Sequence, residues 1–373
     1  MQPLTSIPII SLSSRLVAVT FIISGRVFLL IIREWYLVAS KGLGTPLYMK
    51  DESYEIFNAI LQGELTNAQI ASLLTSLKIK GETVEEIAGA ALAMRENAVA
   101  VNIKDEYKSS LVDTCGTGGD SKNTFNISTC SALIAAGAGV KIAKHGNYAV
   151  SSKSGSADVL KELGVNISLD AEGVLRSIEY ANIGFLFAPK FHTAMKYAAP
   201  VRKELGFKTI FNILGPLTNP LGVKKQIIGV YSDDLSKKII DVLKALKSGK
   251  AFVVHGRDGM DEISLSALTD IYELDAAGNV KYFEFNPKEY GFGFYREDEF
   301  KSLSVAENAK IIYDIISGNK SPRADMAILN AGFAILVSGK VDNLYDAFSE
   351  ARHSAESGKA LKSLQDLIEI SNK

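Results

Sequence analysis

From Leu111 onward, short apolar runs alternate with helical stretches, and this alternation restricts the fold more than any other feature of the chain. The runs lie at 111–115, 140–143, 185–187, 226–231 and 251–255, with helical periodicity at 128–136, 157–163, 171–181 and 235–246. The pattern predicts an α/β domain, a central sheet flanked by crossover helices. Before it, 53–98 reads as helix throughout. Thr66 is placed to cap a helix carrying Ile70, Leu73, Leu74 and Leu77, which ends at Lys80-Gly81. Thr83 and Glu86 form a capping box ahead of Ile87, Ala90, Ala91 and Met94. Segment 188–206 is a helical insertion between strands, expected to pack on these first helices. From Ala306 the chain is mostly helical. The predicted organisation is an atypical apolar extension (1–48), a small helical domain (49–108 with 188–206), and a larger α/β domain (109–187 and 207–373).

The net charge of −1 gives no bulk electrostatic basis for holding nucleic acid. The two cysteines, Cys115 and Cys130, form no Cys-x-x-Cys, and four histidines are too scattered for a zinc signature. A reduced, cytoplasmic protein with both thiols packed is expected. Residues 14–32 resemble a signal anchor, yet Arg26 inside them would cost about 2.5–3.5 kcal/mol in a bilayer. No Ala-x-Ala cleavage site follows. Three readings fit: a start called upstream of Met49, a genuine extension, or an anchor. The first is favoured, and no membrane association is expected.

The candidate chemistry is concentrated between Asp113 and Leu160. Gly116-Thr117-Gly118-Gly119-Asp120 follows a predicted strand, and its backbone N–H groups can cradle an anion. It is neither a Walker A loop nor Gly-x-Gly-x-x-Gly, and alone it reads equally as a tight turn. Asn126-Ile127-Ser128-Thr129 opens a helix, with Ser128 or Thr129 the natural N-cap and the helix dipole favouring an anion. Capping alone is the plainer alternative. Lys144-His145-Gly146-Asn147 comes at a strand's carboxyl end, where α/β proteins place ligands. Ser151, Ser152 and Ser156 continue its polar lining, and Asp158 starts a helix. Together the three segments favour a phosphate or pyrophosphate site over a merely polar loop.

Asp261-Glu262, after the turn His255-Gly256-Arg257-Asp258-Gly259-Met260, suits Mg²⁺, which binds through one or two carboxylates, waters and phosphates. A solvated acidic pair is the commoner alternative. Arg202 can clamp a carboxylate, or form a surface salt bridge. Gly215-Pro216 lies in FNILGPLTNP, and His192 reads as packed or surface rather than catalytic.

In this order GTGGD, NIST, KHGN with SSKSGSAD, RKELG, FNILGPLTNP and GMDEIS resemble the anthranilate phosphoribosyltransferases of tryptophan biosynthesis. The resemblance runs from about Glu55 to Leu367, through GELTNAQIASLLTSLKIKGETVEEIAGAALAMRE early and SPRADMAILNAGFAILVSGK with SGKAL late. It implies transfer of phosphoribose from 5-phosphoribosyl 1-pyrophosphate to anthranilate, with Mg²⁺. It also implies the two-domain fold of pyrimidine nucleoside phosphorylases, usually in a homodimer. By resemblance, Gly116, Gly119, Asp120, Thr124 and Asn126, Ile127, Ser128 and Thr129 meet the donor. Lys144, His145, Gly146, Asn147, Tyr148, Ala149, Val150, Ser151, Ser152 and Ser156 complete that site. Asn147 and Arg202 contact anthranilate, and Ser128, Asp261 and Glu262 hold the metal.

Three positions depart from the family pattern. Tyr148 stands where the family usually has arginine, Cys130 replaces a small residue, and the usual first helix before Ser53 is absent or replaced. The alternatives are a pyrimidine nucleoside phosphorylase, which would use inorganic phosphate and no paired-carboxylate metal site, and a non-catalytic nucleic-acid-binding paralogue. GTGGD, Arg202 and Asp261-Glu262 weigh against the first, and the balanced charge with Asn147 and Arg202 against the second.

Overall fold

The computed structural model describes residues 47–120, 122–149 and 154–373. The apolar stretch at 14–32 and the predicted site residues Val150, Ser151 and Ser152 lie outside the described residues.

The first helices are α1 (Lys50–Gln62), α2 (Asn67–Lys80) and α3 (Val84–Glu96). Thr66 accepts from Gln69 N and Thr83 from Glu86 N, so both expected caps are present. One face of α2, with Ile70, Leu73, Leu74 and Leu77, is buried. Gly89 lets α1 lie close on α3, since a Cβ there would come within 2.3 Å of the Lys50 carbonyl. Glu86 ties these pieces together. Its carboxylate accepts from Leu47 N at 2.7 Å and Thr83 N at 2.9 Å, and pairs with Lys80 Nζ at 2.9 Å. Both charged side chains are buried.

The α/β part follows in chain order as β1 (Val112–Gly116), α4 (Ile127–Gly137), β2 (Ile142–Gly146), α5 (Ser156–Glu162), α6 (Ala171–Ala181) and β3 (Ile183–Phe187). Then come α7 (Ala199–Leu205), β4 (Lys225–Gly229), α8 (Asp233–Ala245), β5 (Ala251–Gly256), β6 (Thr269–Leu274) and β7 (Val280–Phe285). The sheet order is β3-β2-β1-β4-β5-β6-β7. Neighbours from β3 to β5 are parallel, and β6 and β7 are antiparallel. The β6–β7 hairpin was not expected from the sequence. Its turn carries Gly278 at φ 86°, and its edge strand β7 buries only Phe285 fully, so no apolar run marks it.

The chain ends in α9 (Val305–Ile316), α10 (Pro322–Ser338), α11 (Leu344–Glu356) and α12 (Lys359–Ser371). Apolar side chains of α4, α10 and α11 fill one core with Val112, Ile142, Phe252 and Phe285 of the sheet. A second core joins α1–α3 and α8 to Ile228, Val253 and Leu274. Ala198 and Val201 of the insertion belong to that second core, and a Cβ on Gly63 would meet the Tyr197 ring at 2.6 Å. The insertion thus packs against the first helices, as its apolar spacing requires. Among the described residues no helix is long and apolar enough to cross a membrane.

Glu86→Ala would leave Lys80 buried without its counter-charge. A loss of about 3–5 kcal/mol is expected for breaking such a pair, measurable by urea unfolding.

Candidate functional site

The chain runs from β1 outward through β2 to β3, then returns to place β4 on the other side of β1. The connections therefore diverge at the carboxyl ends of β1 and β4, where α/β sheets open a ligand crevice. Gly116 and Gly229 are cross-strand partners at this point. A Cβ on Gly116 would meet Asp261 Oδ2 at 2.4 Å, and one on Gly229 would meet the Asp261 carbonyl at 1.6 Å. The glycine pair makes a notch in the sheet's end, and the loop after β5 seats Asp261 in it. Gly118 N–H donates to Asp261 Oδ2 at 2.9 Å. Gly118 and Gly119, at φ 65° and 81°, supply the left-handed backbone of this turn.

The next carboxylate, Glu262, accepts from Ser128 N at 3.1 Å in the first turn of α4. Ser128 Oγ lies 3.3 Å from Lys144 Nζ, which also donates to the Thr114 carbonyl at 2.7 Å. Asp261, Glu262, Ser128 and Lys144 are thus assembled at one strand-end cluster. Burial pushes the Asp261 carboxyl up to about 7, helped by the negative charge of Asp120. Burial and then Asp261 hold Glu262 well above the usual carboxylate range, while burial lowers Lys144. The Lys144 ammonium group offsets part of this rise at Glu262. Two carboxylates and the Ser128 hydroxyl are a hard oxygen donor set that fits Mg²⁺.

Lys144 is 2% exposed and forms the floor of the site rather than its rim. Beneath it, buried Asp113 accepts from His145 N at 3.2 Å and Asn219 Nδ2 at 2.9 Å, and Asn219 also donates to the Ala143 carbonyl at 2.8 Å. The His145 ring turns to the Gly215 carbonyl at 3.1 Å and lies 5.1 Å from the His192 ring. Burial drives the two imidazoles down to about 3 and about 4, so both are neutral near pH 7. Arg202 on α7 lies over the Phe211 ring at 5.3 Å and forms no ion pair among the described residues. Arg202, Phe211, Gly215 and His145 connect α7 to the end of β2.

Past that strand, Asn147 Oδ1 accepts from Tyr148 N at 2.8 Å, and the Tyr148 ring, 42% exposed, meets Phe187 edge-on at 5.0 Å. Asp158 accepts from Ala149 N at 2.9 Å and Gly155 N at 2.8 Å, holding both sides of the loop. Ser156 Oγ donates to the Asn147 carbonyl at 3.4 Å. A Cβ on Gly146 would strike Ser156 Oγ at 2.2 Å, so the glycine is required for this approach.

The start of α4 corrects the expected cap. Asn126, not Ser128 or Thr129, is the N-cap, and no side chain caps the helix. Asn126 is held elsewhere, its Nδ2 donating to the Ser154 carbonyl at 3.1 Å and its N to Asn308 Oδ1 at 2.9 Å. The side chains of Ile127 and Thr129 are buried, and their N–H groups donate to the Phe125 and Asn126 carbonyls. The positive end of α4 is met by the protein's own Glu262. Thr124 forms an isolated bridge with Lys301 near this turn. Both thiols pack as expected, with burial pushing Cys115 and Cys130 up.

Three residues were not singled out in the sequence. Lys208 Nζ donates to the Gly119 carbonyl at 2.9 Å and lies 4.7 Å over the Tyr231 ring. Asn308 positions Asn126. Asn330 bonds both polar groups of the Ile263 backbone, at 3.0 and 2.9 Å, and so fixes the loop beyond Glu262. An asparagine inside the apolar helix α10 is the one legible signal, because a buried amide needs partners.

The folded Asp261 value of about 7 lies above its unfolded value of about 3.9. Between these pH values the folded chain keeps a proton that the unfolded chain has lost. Its contribution to metal-free stability is therefore complete below about 3.9 and is lost as pH rises through about 7. Urea midpoints in chelator should show wild type losing stability relative to Asp261→Asn across this window. A constant difference would contradict the assignment.

Residues 49–98 match the helical bundle domain of a glycosyl transferase family, and 108–361 match that family's a/b domain. The chain is similar to the anthranilate phosphoribosyltransferase of Methylobacillus flagellatus, at 48% identity over 87% of this chain and 94% of that one. The enzyme of the same name from Herpetosiphon aurantiacus is 47% identical, over 87% and 95%. Among solved structures, the anthranilate phosphoribosyltransferase of Thermus thermophilus superposes with a TM-score of 0.82 at 36% identity, over 91% of this chain and 99% of that one. The Saccharomyces cerevisiae enzyme in complex with PRPP and Mg superposes with a TM-score of 0.83 at 30% identity, over 92% and 98%.

Proposed function

The chain belongs to the anthranilate phosphoribosyltransferase family, and on that premise we propose that it transfers phosphoribose from 5-phosphoribosyl 1-pyrophosphate to the amine of anthranilate in tryptophan biosynthesis. The products are N-(5-phosphoribosyl)anthranilate and pyrophosphate. The observation that carries the reading is the Gly116–Gly229 notch, which seats Asp261 beside Gly118 and leads to Glu262 at Ser128. An acidic cluster offset only in part by Lys144, beside a glycine-rich loop, suits a magnesium–diphosphate and not an isolated sugar.

In this reading Asp261, Glu262 and Ser128 Oγ hold Mg²⁺, which when bound neutralises negative charge on the diphosphate. Gly116, Gly119 and Asp120 wrap the donor, and Thr124 and 126–129 continue its site from α4, with Ile127 and Thr129 shaping it from within. Lys144 supplies positive charge from below. His145, Gly146, Tyr148, Ala149 and Ser156 form the adjoining wall, with Val150, Ser151 and Ser152 assigned on the family pattern alone. The bond from the anomeric carbon to the pyrophosphate oxygen breaks, that oxygen keeps the electron pair, and the amine nitrogen bonds to the carbon and loses a proton to solvent water. Anthranilate's amine is uncharged at neutral pH, so positioning and anion stabilisation carry the step without a strong base.

Arg202, free of carboxylate partners among the described residues and partly desolvated over Phe211, orients the acceptor's carboxylate, with Asn147 beside it. Burial lowers its pKa, yet guanidinium stays charged at any physiological pH. The acidic pair and Arg202 favour this reading over pyrimidine nucleoside phosphorolysis. We assign the helical domain to 49–108 with 188–206, and the α/β domain to 109–187 with 207–373. A cytoplasmic homodimer completes the proposal.

The test follows anthranilate fluorescence with phosphoribosyl pyrophosphate and Mg²⁺. Turnover that stops without Mg²⁺ is expected, and none from the well-folded chain would overturn the activity. Arg202→Ala should raise the KM for anthranilate by roughly tenfold and that for the donor much less. An equal rise for both substrates would make Arg202 structural.

A further inference from the structure

Beside the glycine-rich loop lies a second cleft of about 180 Å³ that none of Asp120, Asp261 and Glu262 lines. Lys78 comes from α2, Lys208 and Thr209 from the connection after α7, and Lys238 from α8. Glu82 and Asp234 also line it, so three ammonium groups outnumber two carboxylates. None of these five charged groups forms an ion pair among the described residues. Thr209 is 3% exposed, and its hydroxyl has no hydrogen-bond partner among them. Three lysines without carboxylate partners lining one cleft complement an anion. The volume falls below the roughly 300 Å³ of pockets for drug-sized ligands, which restricts the occupant to a small ion.

We propose that this cleft is an anion site for a phosphate-class group, coupled to the glycine-rich loop through Lys208. The lysine already bonds the Gly119 carbonyl, and its Nζ lies 2.2 Å from where a Gly119 Cβ would stand. An anion in the cleft competes with that carbonyl for the ammonium group and so frees the loop. The significance of the coupling rests on the reading of that loop as the donor's site, whereas anion binding itself does not.

The test is titration calorimetry of the full chain with inorganic pyrophosphate in chelator, without donor. One pyrophosphate per chain is expected. Lys78→Met with Lys238→Met should weaken binding by roughly tenfold or more, with an unchanged urea midpoint. With pyrophosphate added, the donor's KM should shift more in wild type than in the double variant, and an equal shift in both overturns the coupling through Lys208. No binding to the wild-type chain, or unweakened binding to the double variant, overturns the proposal. Absence of turnover would instead refute the proposed activity and leave this titration standing.

Discussion

Two adjacent carboxylates drawn together at a half-buried strand end demand a counter-charge, and the carboxyl end of this sheet is arranged around that constraint. Asp261 reaches the notch because positions 116 and 229 carry no side chain. Glu262 reaches the start of α4 because Asn126 is held away by Ser154 and Asn308 and leaves the helix without a side-chain cap. Asn330 fixes the following residue from a different helix. What remains is a negative cluster whose neutralisation has to come from a proton or a cation. The raised Asp261 and Glu262 values express the proton alternative.

The same arrangement explains the division of labour between the two parts of the fold. The sheet fixes the acidic cluster and the lysine below it. The insertion, anchored through Val201 in the core of α1–α3, carries Arg202 toward the Gly215–His145 contact. Lys208, in the connection returning to β4, touches the glycine-rich loop directly. Arg202 and Lys208 thus lie six residues apart on either side of the boundary between the two parts.

Much of this was legible in the sequence, for identifiable reasons. Capping boxes at Thr66 and Thr83 are local and were read directly, as was the alternation of β1 to β5 with helices. The hairpin β6–β7 was missed because an edge strand with Lys281 and Glu284 on it has no apolar run. The N-cap of α4 was misplaced because its true partner, Glu262, lies 134 residues away in the chain. Asn219, quoted only as part of FNILGPLTNP, showed no role for the same reason, the partners of its amide nitrogen being 106 and 76 residues distant. That Lys144 is buried was not legible either, because the Thr114 carbonyl that receives its ammonium group lies on the neighbouring strand. Residue types and their order revealed the ligand class, while the long-range contacts that aim each group required the folded chain.

The central claim is that the Asp261-Glu262 cluster is the metal-binding heart of a phosphoribosyl transfer site. Its most direct test is the Mg²⁺ dependence of turnover in Asp261→Asn with Glu262→Gln, beside wild type. Depressed turnover together with a shift to much higher Mg²⁺ concentration is the expected result. An unchanged Mg²⁺ dependence in the folded double variant would contradict the claim.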